Sequence, residues 1–299
     1  MTVPADDGLP LHVEISGPDD APVTIIFCHG YTLNSDVWYY QRAGFERSAR
    51  CVFWDQRSHG RSGRSDPELV SIDQLGADLY EVLMAAAPDD TKVVLVGHSM
   101  GGMTLMALAD QQPELFGDKV IGAVLVSTAA STVDPVTWLP RPFRSAVRAA
   151  IPSVMSGAAK GRIAGLVERG RQSAGDLAYL STKHLAFGDP RVSPTVVSFL
   201  EGVIRKTPIE VVADFYVALA GHEKRHALAV LGGIPVTVIT GDRDRLVGSA
   251  YSDELAEAIS GAELVTIRGA GHLVILERPN EVNEAIADVV NRALGVSDA

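Results

Sequence analysis

Short runs of β-branched and aliphatic residues alternate with longer stretches of helical period along most of this chain. Leu11–Ile15 reads as an opening strand. Val23–Cys28 is a continuous apolar run, as strands buried on both faces show, and Arg50–Asp55 is another. Ile72, Leu75, Leu79, Val82 and Leu83 fall at helical spacing within Ser71–Ala87, and Pro88 stops that stretch. Lys92–Val96 reads as a strand running into Gly97, Met100–Gln111 as a helix closed by Pro113, and Val120–Val126 as a strand. Alternation resumes with a strand at Val236–Thr240, a helix near Asp253–Ile259, a strand at Leu264–Ile267 and a last helix from about Asn280 to Leu294. Strands that alternate with helices predict an α/β protein with a mostly parallel central sheet flanked by helices.

The interval Val133–Arg225 breaks this pattern. It has no clear strand run, and carries amphipathic stretches with Pro135, Pro140, Pro142, Pro152, Pro190, Pro194 and Pro208. It predicts a helical insertion over 133–225 in a body formed by 1–132 and 226–299. The charge changes with it. Residues 133–225 hold 13 Lys and Arg against 8 Asp and Glu, net +5, whereas the remainder holds 13 against 29, net −16. That contrast fits either a basic rim for an anionic substrate or ordinary variation between a helical cap and an acidic surface.

Composition narrows the function. The 299 residues are 46% hydrophobic and 21% charged, enough for a sizeable core. A net charge of −11 excludes nucleic-acid binding through a general basic footprint. Cys28 and Cys51 are too few for a disulfide scaffold, and each sits in an apolar run, so buried thiols are expected. Met1–Asp7 shows neither the basic nor the apolar part of a secretory signal. No apolar run approaches the roughly 20 residues of a membrane span. The expectation is a cytoplasmic protein without stable membrane insertion.

Candidate chemistry begins at Gly97-His98-Ser99-Met100-Gly101, a single match to G-x-S-x-G. A predicted strand precedes it and a predicted helix follows, which is the strand–turn–helix context the motif needs. Glycines at 97 and 101 let strand and helix approach closely and lift the Ser99 hydroxyl out of the turn. A serine hydroxyl needs an oriented base. Among eight histidines, His272 in Gly269-Ala270-Gly271-His272 follows a strand, at the sheet edge where α/β proteins place ligands. His98 neighbours Ser99, but the turn should direct it elsewhere. His12, His184, His222 and His226 read as surface or packing residues. An acid is expected after another strand, and Gly241-Asp242-Arg243-Asp244 offers two. Asp244 is favoured because the loop must bend before its carboxylate turns to the histidine, while Asp242 can hold the turn. No His-Glu-x-x-His motif is present, and Gly60-Arg61-Ser62-Gly63 lacks the spacing and lysine of a phosphate loop, so no metal or cofactor is expected.

With these motifs assembled, the chain resembles the α/β-hydrolase superfamily over nearly its whole length, in particular its serine esterase and lipase branch. The matching residues are His29-Gly30, the run Asp55-Gln56-Arg57-Ser58-His59-Gly60-Arg61-Ser62, Gly97-His98-Ser99-Met100-Gly101-Gly102, Gly241-Asp242-Arg243-Asp244 and Gly269-Ala270-Gly271-His272. The resemblance implies the α/β-hydrolase fold with an inserted helical cap, a Ser99–Asp244–His272 triad, and an oxyanion hole from the Tyr31 and Met100 N–H groups. Ser58 departs from the family, where many members have glycine. Branches with an aspartate nucleophile, the epoxide hydrolases and haloalkane dehalogenases, do not match a serine at position 99.

The implied activity is serine hydrolysis of a small-molecule carboxylic ester through an acyl-enzyme, on acyl glycerols or other short- to medium-chain acyl esters. The Gly-His-Ser-Met-Gly-Gly string resembles monoacylglycerol-lipase-like esterases. Trp138, Leu139, Phe143 and Leu180 are candidates for an acyl pocket or for the core of the insertion. The same triad also serves thioester, lactone or carbon–carbon bond hydrolysis, and cofactor-free perhydrolysis. A non-catalytic ligand receptor on this fold is the reading from another class.

Overall fold

The computed structural model describes residues 1–88, 90–133 and 175–296. Trp138, Leu139 and Phe143 lie outside them. Eight strands form one sheet: β1 Thr2–Pro4, β2 Pro10–Ser16, β3 Val23–Cys28, β4 Arg50–Trp54, β5 Lys92–His98, β6 Val120–Val126, β7 Val236–Gly241 and β8 Glu263–Ile267. Their spatial order is β1-β2-β4-β3-β5-β6-β7-β8. β2 pairs antiparallel with both β1 and β4. From β4 through β8 every pairing is parallel. The chain therefore reaches the carboxyl edge of the sheet at the end of each parallel strand.

Two apolar layers cover the sheet, fed by alternate residues of the same strands. Ile26, Val52 and Leu95 face one way with Leu79, Leu83 and Leu105. Phe27, Phe53 and Val96 face the other with Trp38, Ile286 and Val289. Phe27 stacks on Phe53 with centroids 4.7 Å apart. Cys28 and Cys51 are free and buried, and burial pushes both thiols up to about 12. The helix Ile72–Ala86 starts where Ser71 caps it, its Oγ accepting from the Gln74 N–H at 3.0 Å.

Expected and observed elements differ mainly at their ends. The helix expected near Asp253 starts at Ser249. β1 and the helix Tyr39–Phe45 carry no sequence pattern, being three and seven residues long. Between β6 and β7, the described residues form the helices Gly175–Ala186, Pro194–Arg205, Ile209–Ala220 and Leu228–Leu231. No helix among the described residues is long and apolar enough to cross a membrane.

The loop after β4 is anchored by a buried ion pair. Arg57 Nε and Nη2 each meet an Asp78 carboxylate oxygen at 2.7 Å, and Nη1 donates to Asp7 and Ser65 at 3.0 Å. Neither side chain of the pair is exposed. Arg57→Met should therefore leave an uncompensated carboxylate in the core and destabilise the protein by about 3–5 kcal/mol. Urea unfolding measures this, and the double change Arg57→Met/Asp78→Leu should recover a large part of the loss.

Candidate active site

The segment joining β5 to the helix Met100–Gln111 is a sharp turn. Ser99 sits at its apex with φ 53° and ψ −117°, a conformation that a non-glycine residue holds only when its surroundings impose it. Those surroundings are visible. The Ser99 N–H donates to Val126 O at 2.9 Å, and its carbonyl accepts from Thr128 Oγ1 at 2.7 Å. A Cβ at Gly97 would lie 2.6 Å from Gly101 O, and one at Gly101 would lie 2.0 Å from Cys28 O. Strand, turn and helix are thus packed backbone to backbone, leaving the Ser99 side chain half-buried.

The loops after β7 and β8 meet beside this turn. A Cβ at Gly241 would stand 2.3 Å from Ala270 O, so only glycine lets the two loops approach this closely. Asp242 Oδ1 accepts from the Gly269 N–H at 2.6 Å and faces solvent. Asp244 instead turns inward. Its Oδ1 accepts the Leu246 and Val247 N–H groups at 2.8 and 2.9 Å, and its Oδ2 lies 2.9 Å from His272 Nδ1. Burial opposes the Asp244 charge, but His272 and these N–H donors outweigh it and hold the carboxyl below its usual range. A carboxylate can only accept, so the proton of His272 sits on Nδ1 and Nε2 keeps its lone pair.

Ser99, His272, His98, Gly30 and Tyr31 line one cavity of about 330 Å³. Thr182 and Leu185 of the helix Gly175–Ala186, Ile204 and Val212 complete its walls. The Tyr31 hydroxyl donates to Val212 O, tying the loop after β3 to the inserted helices. Burial, with Tyr216 and Asp214 nearby, pushes this phenol up and keeps it neutral. Met100 is the first residue of its helix, so its N–H has no partner within that helix. The cavity thus gathers the Ser99 hydroxyl and the His272 imidazole beside a helix N-terminus, a set of groups suited to attack on a carbonyl.

The polar shell beneath the cavity was not legible as such in the sequence. His29 Nδ1 donates to Gly30 O at 2.8 Å while its Nε2 accepts from the Gln56 N–H at 2.9 Å. His59 Nε2 accepts from the Thr32 N–H at 3.2 Å. Asp55 accepts from the Ser35 and Arg61 N–H groups at 2.8 and 2.9 Å. Burial opposes its charge, yet His29 and these donors hold it down to about 2. His98 Nε2 donates to His272 O at 3.0 Å. Glu277 accepts from the Gly271 N–H at 2.7 Å and from Gly188 and Asp189, clamping the His272 loop. Ser58, the departure from glycine, has φ 64°, the left-handed region that favours glycine. Its Oγ accepts the Ser65 N–H at 2.9 Å, a bond glycine cannot make. Leu180 lines neither the cavity nor a core; it is 60% exposed.

Comparison with known proteins matches this architecture. A family model described as the alpha/beta hydrolase family matches residues 25–285. Esterase YbfF of Escherichia coli is 30% identical over 237 residues, 79% of this chain and 81% of that protein. Epoxide hydrolase 1 of Caenorhabditis elegans is 26% identical over 291 residues, 94% of this chain and 68% of that one. The enol-lactonase of Burkholderia xenovorans superimposes with a TM-score of 0.75 at 24% identity, covering 97% of this chain and 100% of that structure.

The buried histidines make stability depend on pH. Burial, the largest cause, pushes His59 and His98 down to about 3 and His222 down to about 4. An unfolded chain releases these imidazoles to the ordinary value of about 6.5. Below that value the unfolded state binds more protons, so their contribution to stability is complete above about pH 6.5 and is lost as the pH falls toward 4. Calorimetry at about pH 5 in buffers of different ionisation enthalpy should show close to one proton taken up on unfolding for each of the three, with a further contribution from His29, which burial also pushes down.

Proposed function

The chain belongs to the alpha/beta hydrolase family, and on that premise we propose that it is a serine hydrolase of small carboxylic esters. The observation that carries this reading is the 2.9 Å contact of His272 Nδ1 with Asp244, in a cavity that also holds Ser99. Ser99 Oγ attacks the acyl carbon while His272 Nε2 takes its proton. Asp244 keeps the imidazole in the required tautomer and balances the cation formed. The N–H groups of Tyr31 and Met100 stabilise the oxyanion. Collapse of the tetrahedral adduct expels the alcohol, which takes the proton from His272 and leaves an acyl-Ser99 ester. Water then attacks that ester, with His272 again as base and Ser99 Oγ as leaving group.

The cavity's size supports the substrate class. About 330 Å³ is at the lower end of ligand pockets, room for a short- to medium-chain acyl group rather than a long lipid tail. Its walls from 175–220 give the insertion the role of a cap over the body. The similarity to an epoxide hydrolase does not extend to that family's aspartate nucleophile, because position 99 is serine.

Three changes test the assignment. Ser99→Ala should lower kcat on a p-nitrophenyl butyrate assay by roughly 10⁴–10⁶ with unchanged circular dichroism. Retention of a tenth of the wild-type rate sinks the nucleophile assignment. Asp244→Asn should cost about 10⁴ in kcat by favouring the wrong tautomer. Asp242→Asn should cost far less, since the new amide oxygen can still accept from Gly269. A panel of esters, thioesters and lactones of graded acyl length should give its highest kcat/KM with a short- to medium-chain ester. A tenfold preference for a lactone or thioester would move the substrate class while leaving the triad in place.

A further inference from the structure

The helix Gly175–Ala186 divides two cavities. Ser181, Thr182 and Leu185 face the one that holds Ser99. Leu180, Lys183 and His184, on the opposite face, line a second cavity of about 530 Å³, closed by Phe187, Pro190, Arg243 and Arg245. Among the described residues, Lys183, Arg243 and Arg245 form no salt bridge. By contrast, Arg42, Arg50, Arg61, Arg205 and Lys224 all have carboxylate partners.

The carboxylates nearest along the chain are already committed. Asp242 holds the Gly269 N–H, Asp244 holds His272, and Asp189 lies between Arg191 and Arg278. The arginines are not loose either. Arg243 Nη1 donates to Gly188 O at 3.1 Å, and Arg245 Nη1 donates to His184 O and, at 3.0 Å, to its Nδ1. Each guanidinium carries five N–H donors in a rigid fork, so one anchored nitrogen leaves others for a ligand. Three cations therefore border one cavity, and an anion entering it would meet all three. The apolar wall of Leu180, Phe187 and Pro190 would receive the body of that anion.

We propose that this second cavity binds an amphiphilic anion, a phosphate or carboxylate carried on a short apolar body, and that its occupancy acts on catalysis. The route is short. Arg243 and Arg245 flank Asp244 in sequence; Arg245 bridges to His184 in the last turn of the helix whose other face lines the catalytic cavity, and Arg243 to Gly188 just beyond that helix. An anion held between Lys183 and these arginines fixes that helix against the Asp244 loop. The binding claim does not depend on the proposed ester chemistry. The effect on catalysis does, and is read separately.

The test uses octyl phosphate, inorganic phosphate and the neutral octyl glucoside, with binding measured by calorimetry on the full chain. Octyl phosphate should bind wild type at least tenfold more tightly than either of the others. Lys183→Gln and Lys183→Glu should weaken it at least tenfold, and Lys183→Arg should restore it, which separates charge from folding. Ile204→Trp, which crowds the catalytic cavity alone, should leave its affinity within twofold. Saturating octyl phosphate should change kcat/KM for p-nitrophenyl butyrate at least twofold in wild type but not in Lys183→Glu. Four results overturn the site: no binding, equal affinity for octyl glucoside, indifference to Lys183→Glu, or loss of affinity in Ile204→Trp. Equal affinity for inorganic phosphate overturns the apolar part of the ligand. Binding without any change in the rate of an active ester hydrolase overturns the coupling, and absence of esterase activity in the same preparation points instead to failure of the ester reading.

Discussion

The first turn of the helix Met100–Gln111 lies so close to the end of β3 that a single methyl group at Gly101 would fall 2.0 Å from the Cys28 carbonyl oxygen. The rest of the site depends on that approach. It brings the end of β3, with Gly30 and Tyr31, beside the helix N-terminus, and it forces the chain through Ser99 with a positive φ. Gly30 is part of the same contact, since a Cβ there would reach His98 Nδ1 at 2.8 Å and the Ser99 Cβ at 3.2 Å. The strain at Ser99 is stored locally and balanced by backbone hydrogen bonds to β6 and Thr128. In the proposed reaction, a looser turn would place the hydroxyl and the Tyr31 and Met100 N–H groups too far apart to act on one carbonyl.

Such an arrangement needs a rigid floor, and the floor is polar rather than apolar. Gln56 shows how it is built. Its backbone N–H reaches His29, its side-chain amide donates to the His29 carbonyl, and its Oε1 accepts from Thr104 of the helix after Ser99. One side chain therefore ties together the loop after β4, the end of β3 and the helix that follows Ser99. In a low-dielectric interior a network of this kind has few alternative geometries, because any shift leaves a buried polar group unpaired. Apolar packing of the same volume would tolerate small displacements that the chemistry cannot.

Much of this was readable from the chain, for identifiable reasons. Val23–Cys28 is buried throughout and Val120–Val126 at every position but Ile121, so a nearly continuous apolar run marks each. Ser71 and Pro88 punctuate one helix at both ends. Gly97 and Gly101 signal the crowded turn because their side-chain space is occupied by backbone. The choice between Asp242 and Asp244 rests on how far the loop must bend, and in the fold Asp242 meets the Gly269 N–H while Asp244 meets His272. What stayed hidden depends on long-range partners. Arg57 carries no local mark that it will be buried against Asp78, and Glu277 none that it will gather N–H groups from two separate loops. The cavity walls at Thr182, Ile204 and Val212 come from helices whose facing sides are set by tertiary contact, so periodicity alone does not select them.

His98 bears on how the proposed chemistry is tuned. Its ring lies 4.9 Å from that of His272. A charge there would oppose the imidazolium that forms when His272 takes the serine proton. Burial, reinforced by His272 itself, pushes His98 down to about 3, so it stays neutral wherever a histidine base can work. In the neutral form its Nε2–H serves the His272 carbonyl, which fixes the backbone that carries the base. The side chain next to Ser99 thereby holds the His272 backbone without adding charge. Asp244 is left as the fixed charge in direct contact with the imidazole, and the cation formed in the transition state is balanced by a partner already in place. Burial keeps one histidine neutral, while His272 and bonded N–H groups, against the same burial, keep one carboxylate charged at similar depth.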